Sequence, residues 1–197
     1  MTTTKVGADG RSARGERARR RLTEAARLLF AEQGYSATSV EEVARAADAS
    51  VGSLYHHFPG KSALLRRVLA DARQQRWERV SSQVEPLALV RSLGDHYREL
   101  LEAGRWRRSC PLMDLAAEVA RAAPDAATEI AEADREMESW LARALEGAGA
   151  AAPRRAALMI TACLTGAVTG CAAAGTPEPL DAVMEELHEM FEMRGWA

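Results

Sequence analysis

Residues 38–61, T-S-V-E-E-V-A-R-A-A-D-A-S-V-G-S-L-Y-H-H-F-P-G-K, constrain the fold more than any other part of this 197-residue chain. Val40, Val43, Ala44 and Ala47 recur at the spacing of one helical face. Thr38 with Glu41, or Ser39 with Glu42, fits a capping box at its start. Asp48 and Ala49 then form a turn, Ser50 is placed to cap a second helix, and Pro59 with Gly60 ends it after His57. Two short helices about so tight a turn predict a helix-turn-helix.

The flanking sequence extends this pattern. Residues 1–11 are polar and basic and are expected to form a flexible arm. A helix is expected from about residue 12, with Leu22, Ala26, Leu29 and Phe30 on one apolar face and Gly34 as its stop. A fourth helix from Lys61 turns Leu65, Val68, Leu69 and Ala72 inward and is expected to run past Trp77 toward Pro86. Further helices are predicted at 87–104, 111–122, 125–146, 153–174 and 178–194, separated by Gly- and Pro-containing breaks. Aromatics make up only 5% of the chain, and Ala, Leu, Glu and Arg dominate it, so the expected fold class is all-α. The predicted division is a basic arm over 1–11, a three-helix DNA-binding domain with the helix-turn-helix over 12–60, and a helical domain over 61–197.

A net charge of −2 conceals an asymmetry: residues 1–76 carry 14 Lys and Arg against 8 Asp and Glu, and residues 77–197 carry 12 against 20. The front is therefore +6 and the back −8, so a polyanion would be attracted to one half and repelled by the other. Arg11, Arg14, Arg17, Arg19, Arg20 and Arg21 concentrate the positive charge just ahead of the helix-turn-helix. In such a motif the second helix enters the major groove, which calls for small or polar residues on its open face. Val51, Gly52, Ser53, Tyr55, His56 and His57 meet that need, Leu54 and Phe58 point inward, and Lys61 stands where it would clamp a phosphate.

Three cysteines, Cys110, Cys163 and Cys171, without a C-x-x-C pair fit a reducing cytoplasm and predict neither a disulfide framework nor a metal site. No cofactor is expected, and no secretory signal is evident. Residues 156–176 carry no charge and approach the length of a membrane span, with Gly166 and Gly170 at the spacing of close helix packing. Their Ala, Gly and Thr content favours a helix held between protein neighbours over a membrane partner.

The run F-A-E-Q-G-Y-S-A-T-S-V-E-E-V-A, followed by S-V-G-S-L-Y-H-H-F-P-G-K-S-A-L-L, closely resembles the TetR family of transcriptional regulators over about residues 16–72. The resemblance implies a dimeric regulator of double-stranded operator DNA, with Thr38, Ser50, Val51, Gly52, Ser53, Tyr55, His56, His57 and Lys61 where family members touch DNA. Two positions depart from the family's pattern. Asp48 replaces the usual turn glycine, and Val51 stands where a polar or cationic side chain is frequent, a place from which it could meet a thymine methyl.

The resemblance further implies that the back half binds a small effector and forms a homodimer through the last two helices. Leu180, Val183, Met184, Leu187 and Phe191 share one face of the last helix, as a partner helix requires. Tyr97, Trp106, Cys110, Leu112, Met113, Met137, Trp140, Met159 and Cys163 are the candidate lining of a pocket for an apolar or aromatic effector. The segment S-C-P-L-M-D-L-A-A-E-V also resembles a drug- and flavonoid-sensing subgroup. Cys110 follows Arg105, Arg107 and Arg108, whose charge would lower its pKa and make it a sensor, against the plainer reading of a packed thiol. No hydrolase, metalloprotease, P-loop or dinucleotide motif is present, so a helical enzyme has no sequence support. A nonspecific architectural DNA binder would be basic throughout, which this chain is not. The expected function is a repressor released from its operator by a small molecule.

Overall fold

The computed structural model describes the backbone of residues 6–104 and 110–196, and side chains from residue 13 onward. Ten helices follow one another: α1 (Val6–Gln33), α2 (Val40–Ala46), α3 (Val51–His57), α4 (Lys61–Val80), α5 (Pro86–Ala103), α6 (Pro111–Asp114), α7 (Ala116–Ala122), α8 (Pro124–Gly147), α9 (Pro153–Ala174) and α10 (Glu178–Arg194). No strand occurs among the described residues, and the fold is all-α as expected.

Three places differ from the sequence reading. α1 begins at Val6, so half of the expected arm is helical; no proline interrupts its Ala-, Arg- and Glu-containing sequence before Gln33. α4 stops at Val80, where the Ser81 amide donates to the Trp77 carbonyl and the Gln83 amide to that of Val80. Pro86 then opens α5 at a first-turn position, where its missing N–H forfeits no hydrogen bond. The helix expected over 111–122 is broken at Leu115. The amides of Met113 and Asp114 share the Cys110 carbonyl, at 2.8 and 3.0 Å, and this tight first turn is followed by Leu115 at ψ −7°. The bend lets Leu112, Leu115 and Val119 all reach the core.

In the front half, Leu22, Ala26 and Phe30 of α1 converge with Val43 and Ala44 of α2, Leu54 of α3 and Leu64 and Leu65 of α4. Each buried leucine contributes about 1.5–3 kcal/mol, enough to fix seven-residue helices that would not persist alone. In the back half α8, α9 and α10 pack in succession over α5. Gly94 of α5 lies so close to α10 that an added Cβ would stand 2.6 Å from the Met184 sulfur.

The apolar face of α10 turns into its own protomer: Leu180, Leu187 and Phe191 are buried, and Val183 and Met184 are partly so. The face expected to meet a partner is thus already occupied. The open uncharged surface lies on α9 instead, where Leu158 and Met159 are 55% and 43% exposed and Ala162, Cys163, Thr165, Gly166 and Thr169 continue the stripe. α9 is long and apolar enough to cross a membrane by length and composition alone, a test that a core helix also passes. Its opposite face packs Ile160, Leu164, Val168 and Cys171 into the core.

Candidate nucleic-acid interface and effector pocket

The helix-turn-helix is capped at every end that matters for its shape. Ser39 and Glu42 form the capping box of α2: Ser39 Oγ accepts from the Glu42 amide at 3.1 Å, and Glu42 Oε2 accepts from the Ser39 amide at 2.8 Å. Ser50 Oγ accepts from the Ser53 amide at 3.0 Å and caps α3. Between them Asp48 adopts φ 49°, the left-handed conformation that its family position ordinarily gives to glycine. Leu54 and Phe58 are buried and fix the rotation of α3. Ser50, Gly52, Tyr55 and His56 are consequently exposed, with Val51, Ser53 and His57 half-buried at the margins. Tyr55 is 51% exposed, a large share for an aromatic side chain.

The basic part of α1 lies beside this face. Arg19 stacks over the Phe58 ring at 5.5 Å, and Arg21 donates to the Asp48 carbonyl at 3.4 Å. Arg14, Arg17 and Arg20 remain in solvent. Small residues, hydroxyls, imidazoles and guanidiniums thus share one side of the molecule, a combination suited to phosphates and base edges.

Two expected contact residues have internal partners. Thr38 is buried; its hydroxyl donates to the Gly34 carbonyl at 2.7 Å and accepts from Gln33 Nε2 at 3.3 Å. Lys61 Nζ donates to the carbonyls of Tyr35, Ser36 and Thr38 at 2.9, 3.3 and 2.9 Å, and sits 4.4 Å from the Tyr35 ring centre. An ammonium has three N–H groups, and all three have acceptors here. Lys61 thereby closes the α1–α2 corner from within.

The same corner is held from the other domain by a residue that sequence reasoning missed. Glu118 of α7 accepts from the amides of Tyr35 and Ser36 at 2.8 and 2.7 Å. Hydrogen bonds from Ser36 and Tyr35, with the Lys61 charge nearby, hold its carboxyl below the usual range. Gly34, at φ 87°, is where the chain comes against it, and a Cβ there would lie 2.9 Å from Glu118 Oε2. The glycine was legible as a helix stop; its carboxylate neighbour was not.

The candidate pocket residues separate. Tyr97 and Met137 line a chamber of about 300 Å3 among α4, α5, α8 and α9, together with Leu93, Leu164 and Arg76. Arg76 is 3% exposed; its guanidinium donates to the Ala133 carbonyl at 2.6 Å and to Asp134 Oδ1 at 3.3 Å. Burial raises the Tyr97 phenol well above its ordinary pKa, so it stays protonated. Cys110 lines a different cavity, Leu112 is in the core and Met113 packs against it. Trp140 meets Trp77 edge to face, with ring centres 5.0 Å apart. Met159 and Cys163 face outward, and Trp106 lies outside the described residues. The Cys110 thiol is pushed up to about 11 by burial, the reverse of what a reactive thiolate needs. Its three arginine neighbours in sequence fall outside the described residues. No group of three or more His, Cys, Asp or Glu side chains suited to a metal occurs among the described residues.

Comparison with known proteins agrees with this geometry at both ends. Residues 22–68 match the pattern of bacterial regulatory proteins of the tetR family, and residues 86–186 match the C-terminal domain of LmrA/YxaF-like transcriptional regulators. An HTH-type transcriptional regulator of Mycobacterium tuberculosis is 30% identical over 186 residues, covering 88% of this chain and 93% of its own. The HTH-type transcriptional repressor DhaR of a Mycobacterium species is 31% identical over 86 residues, 43% of each chain. A TetR-family regulator from Agrobacterium tumefaciens superposes with a TM-score of 0.78 at 22% identity, covering 89% of this chain and 98% of its own. With both halves matched, the chain belongs to the TetR family and is a DNA-binding transcriptional regulator.

Proposed function

We propose that the protein is a cytoplasmic homodimeric repressor that leaves its operator when a small apolar or aromatic molecule binds. The observation that carries this reading is the open face of α3, polar and free of packing duties, set beside the arginines of α1. Ser50, Val51, Gly52, Ser53, Tyr55, His56 and His57 make the DNA contacts, while Thr38 and Lys61 act by holding the corner on which α2 and α3 stand. Two recognition helices must enter major grooves roughly 34 Å apart, which a second copy supplies. The open stripe of α9, aided by the exposed edge of α10, supports pairing through the last two helices.

The chamber around Tyr97, Met137 and Arg76 suits the effector, because its walls come from α4, the helix leading out of the DNA-binding domain, and from α9, the helix of the proposed dimer face. A ligand favouring one spacing of these helices by a hundredfold biases DNA release by about 2.7 kcal/mol. The test is binding to the near-palindromic DNA flanking the protein's own gene. Wild type should bind it far more tightly than random duplex, and Tyr55→Ala should bind it about 1–3 kcal/mol more weakly than wild type; equal binding by the two overturns the assignment.

A further inference from the structure

The acidic back half holds a local excess of positive charge. Arg135 and Arg143 of α8 and Arg154 and Arg155 of α9 line a groove of about 800 Å3. Glu138 and Leu158 line both this groove and the Tyr97 chamber, so the two spaces share a rim. All four arginines are exposed, and no carboxylate among the described residues forms an ion pair with any of them. By contrast, Arg73, Arg76, Arg79 and Arg98 each pair with one. Glu138 and Glu146 are the acidic residues of the lining, which leaves four positive charges against two negative.

Arg154 and Arg155 also stand at the wrong end of a helix. They occupy the first turn of α9, where the peptide dipoles present positive charge and cations are disfavoured. That turn has no acidic residue, and Ala152 at the cap position supplies no side-chain hydrogen bond. Arg143 lies over the Trp140 ring, 5.3 Å from its centre. Cations gathered at a positive helix end repel one another, and an anion among them relieves that repulsion and completes the helix end. The chamber across the shared rim is of the opposite kind. Leu93, Met137 and Leu164 give it an apolar lining, and Arg76, the buried charge in its wall, is taken up by Ala133 and Asp134. A ligand that fills both spaces is therefore apolar at one end and anionic at the other.

We propose that groove and chamber form one ligand site for a soluble amphiphile, an apolar chain or ring bearing a phosphate or comparable dianion, with its head among the four arginines and its apolar part in the chamber. Guanidiniums suit this head because each can donate to two phosphate oxygens at once. The assignment rests on the proposed reading of the chamber as the effector site, to which it adds a charged head; the arginine groove stands on its own residues. Exposed arginines act through water and are screened by salt, whereas burial of the apolar part is not. The two ends of the site are thereby separable by experiment.

The test is calorimetric titration of the full chain, without DNA, using octyl phosphate and 1-octanol as probes, both kept dilute enough to avoid micelles. Wild type should take up one octyl phosphate per chain and bind it at least about tenfold more tightly than 1-octanol at low salt, an advantage that shrinks in concentrated salt. Arg154→Gln combined with Arg155→Gln should weaken octyl phosphate about tenfold and leave 1-octanol within about twofold. Thr161→Phe, which sets a ring at the chamber wall, should weaken both probes about tenfold, with melting curves confirming that each variant folds. Equal affinity of wild type for the two probes overturns the arginine groove while leaving the chamber in place. Octyl phosphate binding undiminished by Thr161→Phe overturns the shared site, and no saturable binding of either probe removes the chamber as well. Co-sedimentation with phosphatidylglycerol vesicles, without saturable uptake of octyl phosphate, overturns the proposal in favour of a membrane surface. Since no DNA is present, each failure is separate from failure of the operator reading, which Tyr55→Ala decides.

Discussion

α3 and α9 each leave one face in solvent, and the two faces differ in kind. That of α3 is Gly52, Tyr55 and His56 on a seven-residue helix whose shape is fixed by Ser50, Leu54 and Phe58. That of α9 is Leu158, Met159, Ala162 and Gly166 on a 22-residue helix whose other side is packed against α8 and α10. A polar face with small residues suits a hydrated polyanion, whose grooves are read by hydrogen bonds. An uncharged face with small residues suits another helix, which can approach closely and exclude water. Gly52, Tyr55 and His56 on one face, and Ala162 and Gly166 on the other, are exposed in the protomer, so substitutions there test partners more than the fold.

The largest effect should come from the α9 side. Around Gly166 an added Cβ meets nothing within 4 Å, so the isolated protomer tolerates a side chain there. Gly166→Glu should therefore leave the helical content unchanged, yet place a charge in the middle of the proposed dimer face. We expect a monomer by light scattering and a loss of operator affinity of at least about a hundredfold, because half of the contacts go with the partner. A dimer that persists would move the interface off α9.

The α3 side should respond in smaller steps, and it separates two residues that the sequence grouped together. Tyr55→Ala removes an exposed group and should cost operator affinity about 1–3 kcal/mol with no change in melting temperature. Lys61→Ala removes the donor of three hydrogen bonds at the α1–α2 corner, so the melting temperature and the affinity should fall together. Matching thermal profiles for the two variants would return Lys61 to the DNA surface.

That contrast marks where the sequence could be read and where it could not. The capping residues Ser39, Glu42 and Ser50 and the inward Leu54 and Phe58 were legible because their partners lie within a few positions along the chain. The long back-half helices were legible from their apolar period, and their ends lie within a residue or two of the expected bounds. Glu118 was invisible because its partners lie 82 and 83 residues away and nothing local distinguishes it from a solvated helix residue. The pocket was half legible for the same reason: periodicity placed Tyr97 and Met137 on inner faces but could not say which neighbour would cover Met159 or Cys163, and it gave no sign of Arg76. Likewise it found the apolar face of α10 without showing that α5 and α9 already cover it.

Glu118→Gln probes the link between the two regions. The amide keeps the shape but loses the charge that strengthens the bonds from Tyr35 and Ser36. For a partly exposed carboxylate the expected loss is about 1 kcal/mol of stability at neutral pH. The carboxyl is held below its ordinary 4.5 when folded, so its contribution is present above that value and disappears as the pH falls through the lower folded value. Urea unfolding of wild type and variant should therefore differ at pH 7 and converge as the pH falls past 4.5 and through the lower folded value. A gap independent of pH would mean that shape, not charge, holds the corner.

The smallest effect concerns the turn that both helices of the reading motif share. Asp48 is the one non-glycine residue with positive φ among those described, at 49°. For an ordinary L-residue this conformation costs roughly 1–2 kcal/mol, less for aspartate, and glycine carries none of that penalty. What Asp48 gives in return is slight: its carboxylate lies 3.8 Å from Arg21 with both side chains largely in solvent, an arrangement that contributes about 0–1 kcal/mol. Glycine adds freedom to the unfolded chain, which offsets part of the relief. Asp48→Gly should consequently raise stability by no more than about 0.5 kcal/mol, whereas Asp48→Val, which resists this conformation, should lower it by more than 1 kcal/mol or so. Operator affinity should follow stability only in the valine variant, since a displaced turn re-aims α3. A loss of affinity in the glycine variant with its stability intact would show that the Asp48 carboxylate orders Arg21 for DNA, and would extend the reading face from α3 back onto α1.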